Sequence, residues 1–316
     1  MSKRSTGIHH ITAVVGHPQE NLDFYTKVLG LRMVKQTINF DDPGTYHLYF
    51  GNESGSPGTI MTTFPWPQSR RGRISGGQVG ITPFAVPDGA LDFWEGRLKE
   101  KNVSVMDGER FGERLLQFDD PHGLRLELVE RSGGESNGWS IDGISPENAI
   151  KGFGGAVLYS VMPEKTCALL EQGMGLIQTE EEAGWIRFQA AGSIGQVIDV
   201  KREAMPLGSM GSGVVHHIAW RAEDEADQQE WMAHLRQAGI TPTEVRDRQY
   251  FKSIYFREEG GILFEIATDP PGFTRDEEPD RLGESLQLPP WLESEREKIE
   301  RVLLPIRLPG AKGGER

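Results

Sequence analysis

GIHHITAVVG (Gly7–Gly16) and GVVHHIAWRA (Gly213–Ala222) read as two versions of one strand, each carrying a His-His pair among apolar residues. After the first, Leu22, Phe24, Tyr25, Val28 and Leu29 fall at helical spacing, which predicts a helix from about Gln19 to Leu29. Gly30 follows at the left-handed cap position. Strands near Arg32–Asn39, Tyr46–Phe50 and Thr59–Phe64 complete a βαβββ unit. The second version repeats the order, with a helix near Ala226–Ala238 and a last strand within REEGGILFEIATD (Arg257–Asp269).

Two more copies lie between them. One opens at VGITPFAVPDGALDFWEGRLKEKNV (Val79–Val103) and ends in LLQFDDPHGLRLELVE (Leu115–Glu130), where Asp120–Gly123 makes a tight turn. The other runs from GFGGAVLYSV (Gly152–Val161) through a helix near Lys165–Gln172 to IGQVIDV (Ile194–Val200). Internal repetition on this scale decides the fold before any single motif does. The expected class is α+β, with two copies in each half: residues 1–131, a turn-rich linker at 132–149, then 150–270. A C-terminal extension, 271–316, adds a helix near Trp291–Val302 and a disordered GAKGGER end.

The copies differ where chemistry would sit. Copies one and four have His9-His10 and His216-His217; copies two and three have Ile81-Thr82 and Gly155-Ala156 at the matching place. The last strand carries Glu265 in copy four, Glu127 in copy two and Asp199 in copy three, but Thr62 or Thr63 in copy one. A lone strand histidine is usually structural. Two matched pairs with one neighbouring carboxylate point instead to metal, because two imidazoles and a carboxylate form the facial triad that leaves coordination positions open. His10, His217 and Glu265 are the expected ligands, so copies one and four must share one barrel and copies two and three the other. Without a matching histidine, Glu127 and Asp199 are expected to make structural hydrogen bonds or face solvent. His17, His122 and His234 have no ligand partner nearby in sequence.

The βαβββ repeat resembles the vicinal-oxygen-chelate superfamily, whose units pair into incomplete barrels. HHITA (His9–Ala13), GTYHLYFGNESGSPGTIMTTFPW (Gly44–Trp66), RFGER (Arg110–Arg114), GVVHHIAW (Gly213–Trp220) and DRQYFKSIYFREEGGILFEIATDPPGF (Asp247–Phe273) resemble the hydroquinone ring-cleaving extradiol dioxygenases. That resemblance spans residues 7 to about 305. It implies Fe(II), with Mn(II) as substitute, and a small aromatic substrate opened with O2. It also implies that Thr12, Arg248 and Tyr255 approach the substrate and that His9 and His216 stand behind the ligands. Strand alternation supports Thr12, on the face of His10, but sends His9 and His216 to the opposite face.

Competing functions share the frame. A glyoxalase-type lyase or isomerase would want a fourth ligand where copy one offers only threonine. A protein that merely sequesters an aromatic compound needs no triad. A dioxygenase of a diketone or keto acid would use the same one. Bulk composition narrows partners: 47 acidic against 34 basic residues give a net charge of −13, which argues against nucleic acid and anionic membrane. The single cysteine, Cys167, excludes an internal disulfide and a cysteine-built metal site. No signal-like or membrane-length apolar run is present, so a cytoplasmic location is expected. A homo-oligomer would suit the family.

Overall fold

A computed structural model describes residues 3–139, 141–182 and 184–308. The GAKGGER segment lies outside the described residues. The first copy comprises β1 (Ile8–Val15), α1 (Pro18–Asp23), β2 (Arg32–Asn39), β3 (Asp42–Gly51) and β4 (Ile60–Pro65). The second holds β5 (Gln78–Val86), α2 (Leu91–Glu100), β6 (Met106–Arg110), β7 (Glu113–Asp119) and β8 (Arg125–Glu130). A short β9 (Gly152–Phe153) precedes the third: β10 (Ala156–Tyr159), α3 (Pro163–Ala168), β11 (Ile177–Glu182), β12 (Trp185–Gln189) and β13 (Val197–Lys201). The fourth contains β14 (Val214–Ala222), α4 (Glu225–Gln237), β15 (Arg246–Asp247), β16 (Lys252–Arg257) and β17 (Leu263–Thr268).

The helices of copies one and three end in π-helical turns, Phe24–Val28 and Leu169–Gly173. Gly30 follows the first with φ +70°, and a Cβ there would lie 2.3 Å from Ile144 Cδ1. The left-handed φ calls for glycine there, whereas the Ile144 methyl could rotate aside. The segment Ser132–Ala149 is not a loose tether. Arg97 on α2 donates to the carbonyls of Lys27, Val28 and Asp142, tying copy one, copy two and this segment together.

Two curled sheets result. One has eight strands in the order β15-β16-β17-β14-β1-β4-β3-β2, and the other runs β11-β12-β13-β10-β5-β8-β7-β6 with β9 beside β5. Copies one and four therefore pair, and copies two and three pair, as the ligand pattern requires. The central strands are buried along their whole length, β1 and β5 included, because one face lines a barrel and the other meets helices. The extension packs back on the first barrel through Phe273, Leu282, Leu288, Ile299 and Leu303, all buried. Among its described residues one α-helix, α5, spans Arg296–Val302. No helix among the described residues is long and apolar enough to cross a membrane.

Candidate metal centre

Register on three adjacent strands brings the predicted ligands together. Ala219 on β14 pairs with His10 across the antiparallel β1 and with Glu265 across the parallel β17. His217 lies two residues before Ala219, hence on the same face. Three ligating side chains thus ring one small, fully buried residue. His217 Nε2 is 2.9 Å from Glu265 Oε2, His10 Nε2 is 3.4 Å from it, and the two Nε2 atoms are 3.3 Å apart. Three cis donors each about 2.1 Å from one ion sit about 3 Å from one another, so the set fits a divalent metal. It is the one such cluster among the described residues. Burial pushes the Glu265 carboxyl up, but the His10 and His217 imidazoles outweigh it and hold the group well below the usual carboxylate range. Its Oε1 accepts from Ser253, while Oε2 is buried without a conventional hydrogen-bond partner. That orphaned oxygen faces the two imidazoles and is the structural mark of a cation site.

Strand alternation misplaces His9 and His216. His9 Nδ1 lies 2.9 Å from His10 Nδ1, and His216 Nδ1 lies 2.8 Å from His217 Nδ1. The cause is a pair of β-bulges. Between Ile8↔Trp220 and His10↔Ala219, β1 holds one extra residue, His9; between Thr12↔His217 and Ala13↔Val215, β14 holds one extra, His216. A bulge re-aims its side chain, so each extra histidine swings alongside its neighbour. With Nδ1 engaged there, each ligand ring turns Nε2 inward. Burial, then the neighbouring His217, pushes the His216 ring down to about 3. Burial likewise holds His9 well below its ordinary value.

The same bulge moves the repeat alignment by one residue. β5 carries its extra residue at Gly80, and Val157 pairs with Ile81 as Thr12 pairs with His217. The counterparts of the His-His pairs are therefore Gly80-Ile81 and Gly154-Gly155, not Ile81-Thr82 and Gly155-Ala156. In copy one, Thr12 pairs with Thr62, which fixes Thr62 rather than Thr63 as the counterpart of Glu265. Thr63 bonds Asn21 on α1 instead, at 2.7 Å.

A cavity of about 480 Å³ opens over the triad, lined by His10, His217 and Glu265 and also by His216, Arg248 and Tyr255. Arg248 Nε donates to the Tyr255 hydroxyl at 3.1 Å, and its Nη1 meets Asp41 Oδ2 at 3.0 Å. Burial, then the Glu265 charge, raises the Tyr255 phenol above its ordinary value. Thr12 is not on the cavity wall. It is fully buried, with Oγ1 2.8 Å from Oγ1 of Thr62, the residue beside it on the neighbouring strand β4.

Sequence reasoning missed His47. Its Nε2 is 2.7 Å from Thr62 Oγ1, its Nδ1 is 2.8 Å from the Tyr49 hydroxyl, and both rings line the cavity. Burial and the nearby His10 hold His47 well below its ordinary value, hence neutral. An isolated histidine on a strand without a matched partner gave no signal. Only the register, Tyr49 opposite Thr62, brings it to the site.

The model of the Glyoxalase/Bleomycin resistance protein/Dioxygenase superfamily matches residues 7–128 and 152–266. The chain belongs to this superfamily. A Bacillus subtilis (strain 168) protein named "Putative ring-cleaving dioxygenase MhqO" is 58% identical over 308 residues, covering 98% of this chain and 99% of that one. The chlorohydroquinone/hydroquinone 1,2-dioxygenase of Sphingobium indicum is 33% identical, covering 96% of this chain and 97% of its own length. A solved Bacillus subtilis structure described as a "putative dioxygenase" superposes with a TM-score of 0.96 at 57% identity, covering 98% of this chain and 99% of that one. Within its superfamily the chain is therefore an enzyme of the dioxygenase type.

Proposed function

We propose that the protein opens a hydroquinone- or catechol-type aromatic ring with both atoms of O2, using Fe(II), or Mn(II) in its place, held by His10, His217 and Glu265. The convergence of those three donors in the lining of one cavity carries the reading. The relatives' names support it. Iron(II) in such a set supplies Lewis acidity toward a phenolate oxygen together with the one-electron chemistry that activating O2 requires.

The chain's own side chains do the rest. Phe64, Trp66, Phe251 and Leu263 form an apolar wall that sheds water and accepts the ring's faces. Arg248 occupies the Tyr255 oxygen as donor, which frees the phenolic hydrogen of Tyr255 for a ring oxygen. With its phenol raised, Tyr255 holds that proton until charge develops beside it. His47 and Tyr49 form the second place where a proton can be held, on β3 across the cavity. His9 and His216 act through Nδ1, fixing the rings of His10 and His217. Thr62 sits where a fourth carboxylate ligand would be and is already bonded to Thr12 and His47, which disfavours a glyoxalase-type lyase.

The test is anaerobic purification, loading with Fe(II), and O2 uptake with hydroquinone, methylhydroquinone or catechol, alongside the product's ultraviolet spectrum. One O2 consumed per ring opened, lost in His10→Ala, His217→Ala and Glu265→Ala, is the expected result. Iron-loaded protein that consumes no O2 with any dihydroxybenzene would sink ring cleavage and favour a diketone or keto-acid substrate.

A further inference from the structure

We infer that the start of the C-terminal extension, Pro270–Glu277, is a clamp that positions Arg248 and Phe251 in the catalytic cavity, with Arg275 and Asp276 as positioning residues. This rests on the proposed site but not on the identity of its substrate.

Arg248 and Phe251 both line the cavity, and between them the chain makes a tight loop through Gln249 and Tyr250. Arg248 holds Tyr255, and the Phe251 ring lies 4.9 Å from His10 and 5.2 Å from His9. The loop therefore presents one side chain to the proposed proton donor and another to a proposed ligand. Its shape is costly by itself. Gln249 has φ +68°, a left-handed conformation that a residue with a Cβ adopts only when its surroundings impose it.

Within the repeat the Gln249 amide donates to Asp247 Oδ1 at 2.7 Å, and the remaining contacts come from the extension. Arg275 Nη1 donates to the Gln249 carbonyl at 2.7 Å. The Gly272 amide donates to the Tyr250 carbonyl at 2.9 Å. The Tyr250 hydroxyl donates to Asp276 Oδ2 at 2.9 Å, and the Phe273 ring packs 5.3 Å from that of Tyr250. Asp276 is anchored in turn. With Glu277 it binds Lys35, whose side chain on β2 is 0% exposed and whose ammonium lies 4.8 Å over the Tyr250 ring. A fully buried lysine is stable only when its charge is met, so these carboxylates are held as firmly as the core. Phe273 also packs edge-on against Tyr49, the partner of His47, with ring centroids 5.1 Å apart. One short segment thus touches both proton-holding walls of the cavity without reaching the cavity itself.

Arg275→Ala and Tyr250→Phe each remove one clamp bond and leave the core intact, since Arg275 is exposed and phenylalanine keeps the Tyr250 ring. Three measurements apply: bound iron, hydrogen exchange of the Arg248–Phe251 amides, and steady-state kinetics with hydroquinone. Both variants should bind iron as the parent does and exchange faster in that loop alone. Each should lose about tenfold in kcat/KM, the scale of a small misplacement near the reacting centre. The double variant Arg275→Ala/Arg248→Ala should lose less than the two single losses multiplied together, because part of the clamp acts through Arg248. Unchanged loop exchange, or a loss that adds to that of Arg248→Ala, would overturn the clamp. If the parent enzyme turns over no dihydroxybenzene, the substrate reading fails, and the exchange arm still decides the clamp.

Discussion

The two barrels share one design and spend it differently. Each is built from two βαβββ units meeting edge to edge, with the same register between their first strands. In the first barrel the four inward positions are His10, His217, Glu265 and Thr62. In the second, the register puts Ile81, Gly155, Glu127 and Asp199 there. These two carboxylates do not face solvent. Both are buried, and Arg110 lies between them: Nη1 and Nη2 reach Glu127 at 3.1 and 2.7 Å, and Nε reaches Asp199 at 2.7 Å. Arg187 adds a bidentate contact to Asp199 at 2.8 and 3.0 Å. Guanidinium groups thus occupy the position that the first barrel reserves for an ion, and Ile74, Ile81, Tyr159, Trp185 and Met205 pack beside them. A buried carboxylate needs a cation, and what the cation is decides whether the site is chemistry or scaffold.

The sharpest way to break this comparison is to count metal. One ion per chain is expected, lost with His217→Ala or Glu265→Ala and accompanied by at least a thousandfold drop in kcat/KM, on the order seen when such ligands are removed. Glu127→Ala and Asp199→Ala should leave both quantities near the parent's. Two ions per chain by elemental analysis would mean that the second barrel also binds metal. The reciprocal prediction concerns stability. Arg110→Met strips Glu127 of its bidentate partner and should cost about 3–5 kcal/mol in denaturant unfolding, with iron content unchanged. Adding Glu127→Leu should recover part of that loss, since the buried charge then disappears with its partner.

Within the first barrel two smaller effects separate proton chemistry from ligand orientation. Tyr255→Phe keeps the ring and removes the donor, and should lower kcat about a hundredfold while iron affinity stays the same. His9→Ala and His216→Ala should do the opposite, weakening iron by about 10- to 100-fold through the loss of the Nδ1 contacts. Equal effects of all three on iron affinity would show that Tyr255 is part of the metal's support.

That division marks where the sequence stops speaking. Repeated histidine pairs and a single Glu265 announce the triad, and with it the crossed pairing of the repeats, because ligands must converge. Bulges carry no comparable signature. A one-residue insertion looks like ordinary strand, so alternation misread His9 and His216 and shifted Gly80-Ile81 by one place. Arg110 and His47 reach their sites from strands whose register depends on the whole sheet, and the clamp on Arg248 comes from a segment outside the repeat. Local patterns encode which residues can bind; long-range pairing decides which of them meet.

Asp120 shows a third way to bury a carboxylate, with a smaller effect on stability. Asp120, in the turn between β7 and β8, has neither metal nor arginine. Its Oδ1 accepts the amides of His122 and Leu124 at 2.8 and 2.9 Å, and Oδ2 has no hydrogen-bond partner. Burial outweighs those amides and pushes its carboxyl up to about 6, from an ordinary value of 3.8. Below about pH 6 the compensating cation here is a proton. Because the folded value lies above the unfolded one, stability from this group is complete below about pH 4 and is lost as pH rises through 6. Asp120→Asn keeps the acceptor and cannot ionise. It should match the parent near pH 4 and exceed it by about 1–3 kcal/mol at pH 8, read from urea unfolding at the two pH values. A variant less stable than the parent at pH 8 would mean that the Asp120 charge is met by a partner after all, and that protonation is not a third solution beside the ion and the guanidinium.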